Sequence, residues 1–188
     1  PLGTIQDNTR CARLSNACIK YFGSQTSFLD LGCSGGGLVF DFALNGCVAI
    51  GLEGSDISAL SNRANWSTIP ENLFTCDLTK PFKIQNKHDG NRFSFKIIST
   101  WEVLEHISKP DLKIFFKNVI DHLSDDGFFI GSISMNAADP LHLTIQDREW
   151  WSAQFEKNGL VFIREQENPL APMDYARGLG RGLHDTCN

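Results

Sequence analysis

The sequence predicts an α/β fold in a single domain, built on a doubly wound, mostly parallel sheet. Three observations point there. Ser27 to Leu38 runs from an apolar strand through a glycine cluster into a helical pattern, two later apolar runs again close on an acidic residue, and helical periodicities lie between them. At 188 residues with 41% hydrophobic content, the chain is large enough for one continuous core.

The first stretch reads Ser27-Phe-Leu-Asp-Leu-Gly-Cys-Ser-Gly-Gly-Gly-Leu38. Its glycines allow a sharp turn and leave no side chain between backbone and ligand, while the first helical N–H groups point into the same space. A dinucleotide fingerprint needs glycine at the first, third and sixth positions. Gly32 and Gly37 fit, but Ser34 holds the middle place and Asp30 would lie close to a pyrophosphate. A ligand with a sulfonium and an α-ammonium group suits that carboxylate better.

The run Leu29 to Gly36 resembles the first motif of class I S-adenosylmethionine-dependent methyltransferases, with Ser34 where many members carry glycine. The resemblance covers roughly Ser27 to Glu165. It implies a Rossmann-like fold, S-adenosylmethionine as cofactor, and a cofactor site made of Asp30, Gly32, Cys33, Ser34, Gly36, Glu53, Gly54, Asp77, Leu78 and Thr100. In the family's pattern Asp77 hydrogen-bonds the adenine amino group and Leu78 packs on the base.

Taken in order, Asn8 to Phe22 carries Ala12, Leu14, Cys18 and Phe22 at helical spacing and predicts a leading helix. Leu38 to Ala43 continues as a buried helix that stops at Asn45-Gly46. Cys47 to Leu52 is a second strand ending at Glu53, 21 positions after Gly32, where an acid takes ribose hydroxyls in doubly wound sheets. A helix-capping role for Glu53 is the alternative. Ser55 to Trp66 is the next helix, and Asn72 to Thr79 a third strand. Lys80 to Arg92 is a polar loop with a turn, in which His88 is simply exposed. Phe93 to Thr100 is the fourth strand, Ser108 to Leu123 an amphipathic helix, and Gly127 to Ser134 the fifth strand. A helix from about Gln146 to Lys157 and a sixth strand from Leu160 to Arg164 follow. The last dozen residues are the only candidate for a seventh strand.

A net charge of −5 disfavours an extended polyanionic partner. The six cysteines form no C-x-x-C pair, predicting free thiols, no zinc site and a reducing, cytoplasmic location. No apolar run approaches a membrane span. Pro1-Leu2-Gly3 reads as the remnant of a cleaved tag. Residues 1–7 then form a flexible start and 8–188 the methyltransferase domain, one part of a larger protein.

The chemistry is expected after the fourth strand, in Ser99-Thr-Trp-Glu-Val-Leu-Glu-His-Ile107. If Trp101 to Ile107 forms a helical turn, Glu102, Glu105 and His106 share one face. His142 lies in the loop after the fifth strand, which opens on the same sheet edge. Three readings fit these residues: a divalent ion such as Mg²⁺ held by Glu102, Glu105, His106 and His142; His106 or His142 as a metal-free base; or a structural role for all four. The Glu-x-x-Glu-His segment resembles ubiquinone-biosynthesis O-methyltransferases and the methyltransferases of small-RNA terminal 2′-hydroxyls. Catalytic roles thus fall to His106, His142 and Glu102.

For the acceptor, Asp147-Arg-Glu-Trp-Trp151 is informative, since adjacent helical residues point in different directions. Trp151, four before Phe155, is the buried one, leaving Trp150, with Trp101, to face the acceptor. Pro140 to Thr144 followed by the Trp pair resembles methyltransferases attached to glycan-assembly proteins. The expected reaction is O-methylation of a sugar hydroxyl or similar small polar acceptor. RNA 2′-O-methylation and a catalytically inactive S-adenosylmethionine-binding module are the alternatives.

Overall fold

Five parallel strands form the centre of the structure, a computed structural model in which residues 6–163 and Leu170 are described. They are β1 (Ser27–Leu31), β2 (Val48–Glu53), β3 (Leu73–Thr75), β4 (Phe95–Trp101) and β5 (Leu123–Ser132), in the spatial order β3-β2-β1-β4-β5. Parallel pairing requires a crossover after each strand rather than a hairpin. The crossovers carry α2 (Gly37–Leu44), α3 (Ile57–Leu60) and α4 (Leu112–His122), with α1 (Ala12–Phe22) before the sheet and α5 (Arg148–Lys157) after it.

Both sheet faces are covered, so β1 is buried at every position. Strand alternation sorts the core into two layers. Phe28, Ile97 and Ile130 meet Leu14 and Cys18 of α1 and Phe42 of α2 on one face. Leu29, Leu31 and Ile98 meet Phe115 and Phe116 of α4 and Trp151 of α5 on the other. Phe28 and Phe42 stack with ring centroids 3.9 Å apart. The strand order reverses between β1 and β4, and in doubly wound sheets ligands bind beyond the carboxyl ends of the strands at such a switch point.

Several expected elements differ. The helix expected over Ser55 to Trp66 is two short pieces, α3 and a 3₁₀ turn at Ala64–Ser67, because Asn62 (φ 49°) and Ala64 (φ 48°) turn left-handed between them. The third strand stops at Thr75, since Asp77 closes a local turn: its Oδ1 accepts the Thr79 N–H at 2.9 Å and hydroxyl at 2.6 Å. Residues 160–163 form no strand, and Val161 is 87% exposed. Arg164 and the proposed seventh strand lie outside the described residues.

Cys18, Cys33, Cys47 and Cys76 are free, but Cys11 is disulfide-bonded, which corrects the reading of six free thiols. Spacing along a chain does not report which cysteines meet in space. A disulfide is uncommon in the reducing compartment expected from the sequence. Among the described residues no helix is long and apolar enough to cross a membrane. A groove of about 390 Å³ runs along β5, lined by Phe129, Ile130, Phe155 and Leu160; of the predicted site residues it touches Thr100 alone.

Candidate active site

The register of the central strands sets the first half of the site. Asp30 of β1 is paired with Ser99 of β4, and paired residues of parallel strands present their side chains on the same face. The Ser99 hydroxyl accordingly donates to Asp30 Oδ1 at 2.6 Å. Burial pushes the Asp30 carboxyl up to about 7, opposed by the Ser99 hydrogen bond and reinforced by the charges of Glu53 and Asp7. Burial also raises the Cys33 thiol well above its usual range, because that side chain turns into the core against Gly51.

Glu53, at the end of β2, accepts the Ser34 N–H at 2.7 Å and the Ser55 N–H at 3.1 Å. Its carboxylate thereby ties the glycine loop to the segment after β2, and each oxygen keeps a further lone pair. The glycines serve close protein packing rather than open ligand space, against the sequence expectation. A Cβ on Gly32 would lie 2.4 Å from Val103 Cγ2, and one on Gly36 2.6 Å from Leu73 Cδ1. Cβ atoms on Gly35 and Gly37 would lie 2.5 Å from Asn8 Oδ1 and 2.3 Å from the Thr9 carbonyl oxygen. Only Gly54 among the predicted cofactor glycines faces open space. Thr100 is buried with no hydrogen-bond partner for Oγ1 among the described residues. Leu78 is buried and Asp77 exposed, its carboxyl held below the usual range by Thr79.

The second half stands beyond β4 and β5. Leu104–His106 is a 3₁₀ turn rather than the expected α-helical one, and Glu102 precedes it in a left-handed conformation, φ 52°. That bend sends Glu102 to the surface and drives Glu105 into full burial. Glu105 then organises the following loop. Its carbonyl accepts the Leu143 and Thr144 N–H groups at 2.7 and 2.9 Å, and its Oε1 accepts the Ser134 N–H at 2.8 Å. The structural role expected as one alternative is therefore present in Glu105. Its Oε2 is buried without a partner among the described residues.

Pinning residues 143 and 144 to Glu105 sets His142 beside His106, with ring centroids 4.8 Å apart. His106 Nδ1 lies 3.0 Å from the Leu141 carbonyl oxygen, and His142 Nδ1 lies 2.7 Å from that of Asn136. A carbonyl only accepts, so each Nδ1 carries the hydrogen and each Nε2 keeps its lone pair when the ring is neutral. Ligand atoms of Glu105, His106 and His142 all lie within 4.8 Å of one another. One carboxylate and two imidazoles suit a divalent ion. Glu102 is not among these three. Burial pushes the Glu105 carboxyl up to about 7; the bonds from the backbone and the His142 charge oppose the shift, and the Glu102 charge adds to it.

Trp151 is buried and packs on Phe155, as its spacing predicts. Trp150 is half-buried, meets Trp151 edge-on, and has the Lys109 ammonium 5.4 Å from its ring centroid. Trp101 packs on the layer that holds Phe28. Sequence reasoning missed Ser99 as the partner of Asp30. A polar residue inside an apolar strand was the visible signal for it.

The chain belongs to the methyltransferase domain family, whose model matches residues 5–170. No curated protein matches it. Among solved structures it is similar to mitomycin 7-O-methyltransferase, with a TM-score of 0.57 at 15% identity over 81% of this chain and 48% of that one. It is similar to an S-adenosylmethionine-bound amino pentose methyltransferase of Micromonospora echinaspora involved in calicheamicin biosynthesis (0.51, 16%, 65% and 49%). It also resembles a TehB-like S-adenosylmethionine-dependent methyltransferase of Corynebacterium glutamicum (0.51, 16%, 69% and 65%). The chain thus spans about half to two thirds of these structures, and the likeness establishes the fold.

Proposed function

We propose that this chain is the catalytic domain of an S-adenosylmethionine-dependent O-methyltransferase acting on a hydroxyl of a sugar or similar small polar acceptor, with a divalent ion at the acceptor side. The observation that carries the reading is the convergence of Glu105, His106 and His142, their ligand atoms within 4.8 Å of one another beyond β4 and β5. S-adenosylmethionine supplies an already activated methyl group, so what remains for the protein is to orient the acceptor and manage its proton. A divalent ion lowers the pKa of a bound hydroxyl.

At the cofactor end, Asp30 carries the charge that faces an organic cation, and the free lone pairs of Glu53 accept from a diol. Gly54 leaves the space beyond β2 open. Asp77 and Leu78 provide an acceptor and an apolar surface for a nucleobase. At the acceptor end, Glu105, His106 and His142 offer one oxygen and two nitrogens, and Trp150 an amphipathic ring. Two structurally similar proteins, an amino pentose methyltransferase and mitomycin 7-O-methyltransferase, are compatible with a small polar acceptor.

Methyl transfer should be measured on a panel of sugar, phenol, amine and RNA-end acceptors, with and without EDTA. Activity on hydroxyl acceptors that EDTA abolishes and Mn²⁺ restores is expected. Turnover indifferent to EDTA would remove the metal, and turnover confined to amines would remove O-methylation.

A further inference from the structure

Among the described residues, three of the four non-glycine residues with positive φ surround one side chain, that of Arg63. They are Ser34 (φ 48°), Asn62 (φ 49°) and Ala64 (φ 48°). A left-handed alanine or serine is uncommon and persists only where its surroundings over-determine it. Asn62 and Ala64 flank Arg63 directly and aim it at the glycine loop. Its Nε donates to Ser58 Oγ at 3.0 Å, one terminal nitrogen to the Asp7 carbonyl at 2.8 Å, and the other to Ser34 Oγ at 2.8 Å.

Ser34 in turn has a partner on every polar atom. Its N–H goes to Glu53, its hydroxyl donates to the Asp7 carbonyl at 3.2 Å, and its own carbonyl accepts the Trp66 indole N–H at 2.8 Å. The Asn65 N–H adds a bond to the Gly35 carbonyl at 2.9 Å. The segment Asp7 to Thr9 lies directly on Gly35 and Gly37. Serine at a position where glycine would be unstrained is thereby explained: its hydroxyl joins the guanidinium and the Asp7 carbonyl.

We propose that Arg63 is a positioning residue for the cofactor, holding Ser34 in its left-handed conformation and the Asp7–Thr9 segment against the glycine loop. The proposal rests on the S-adenosylmethionine reading above. It differs from a general structural role because the two side chains are coupled: with glycine at 34 the turn needs no restraint, so Arg63 has less left to hold.

S-adenosylhomocysteine affinity of the full chain should be measured by calorimetry for wild type, Arg63→Gln, Ser34→Gly and the double variant, alongside amide hydrogen exchange at Ser34 to Gly37. Arg63→Gln is expected to weaken binding roughly tenfold and to speed exchange at those amides by a similar factor. The loss on Arg63→Gln is expected to shrink to about threefold or less when Ser34 is already glycine, so that the double variant binds within about threefold of Ser34→Gly alone. Independent, multiplicative losses would overturn the coupling, as would an Arg63→Gln variant that melts earlier but binds and exchanges like wild type. If wild type does not bind S-adenosylhomocysteine, the cofactor reading fails. The exchange rates then still decide whether Arg63 holds the loop.

Discussion

Asp30 and Glu105 are both carboxylates driven into full or nearly full burial at the carboxyl end of the same sheet, and burial brings both to about 7. Their surroundings differ in kind. Asp30 has a serine hydroxyl as partner and two further carboxylates nearby. Glu105 has two imidazoles whose Nδ1 atoms are committed to carbonyls. A carboxylate with further carboxylates near it, beside a glycine loop, suits an organic cation, whereas a carboxylate with two imidazoles suits a metal ion. A raised carboxyl pKa alone separates nothing; the neighbours within reach decide what the buried charge is for.

The largest effect should come from Glu105→Gln, which is expected to weaken Mn²⁺ binding by roughly 100-fold in calorimetry while Glu102→Gln changes it less than about threefold. Equal losses would return Glu102 to the ligand set. Next, Asp30→Asn should weaken S-adenosylmethionine binding by roughly 10–100-fold, the range for a lost charge-assisted contact. It should leave Mn²⁺ affinity unchanged, and a fall in both affinities would merge the two halves of the site.

A smaller opposite change accompanies it in the apo protein. The folded-state pKa of Asp30, about 7, lies above the usual carboxylate value. The stability contributed by its protonated form is therefore complete below about pH 4 and lost as pH rises through about 7. Asp30→Asn removes that loss and should raise the apo melting temperature at pH 8 by several degrees, with little change at pH 4. A lower melting temperature at pH 8 would show that the carboxylate holds the fold rather than the ligand.

His122 provides the control. It is fully buried, its Nε2 accepting the Ile84 N–H at 3.1 Å and its Nδ1 2.8 Å from the Asn118 carbonyl oxygen. His122→Ala should cost about 2–3 kcal/mol in denaturant unfolding and leave both affinities of the folded protein intact.

Much of this architecture could be read along the chain because its causes are local in sequence. The apolar run into glycines at Ser27–Leu38 determines β1, the turn and α2, and the 3.6-residue spacing of Leu112, Phe115, Phe116 and Val119 determines α4. What could not be read depends on partners far apart in sequence. Glu102 and Glu105 have the same spacing signal, yet one left-handed residue places them in opposite environments. Arg63 looks like an ordinary surface arginine until the Asp7 carbonyl and the Ser34 hydroxyl arrive from 56 and 29 residues away. The glycine loop itself misled in one respect, since protein atoms from residues 7–9, Leu73 and Val103 fill the space its missing side chains leave.

Titration of S-adenosylmethionine into the wild-type protein at pH 6 and pH 8 decides whether the carboxyl ends of β1 and β2 receive a cationic methyl donor. One equivalent should bind, more tightly at pH 8 by up to roughly tenfold, because the carboxylate form of Asp30 is the one that holds a cation. No binding at either pH, or binding that tightens as Asp30 gains its proton, would contradict the assignment of these strand ends to a cationic methyl donor.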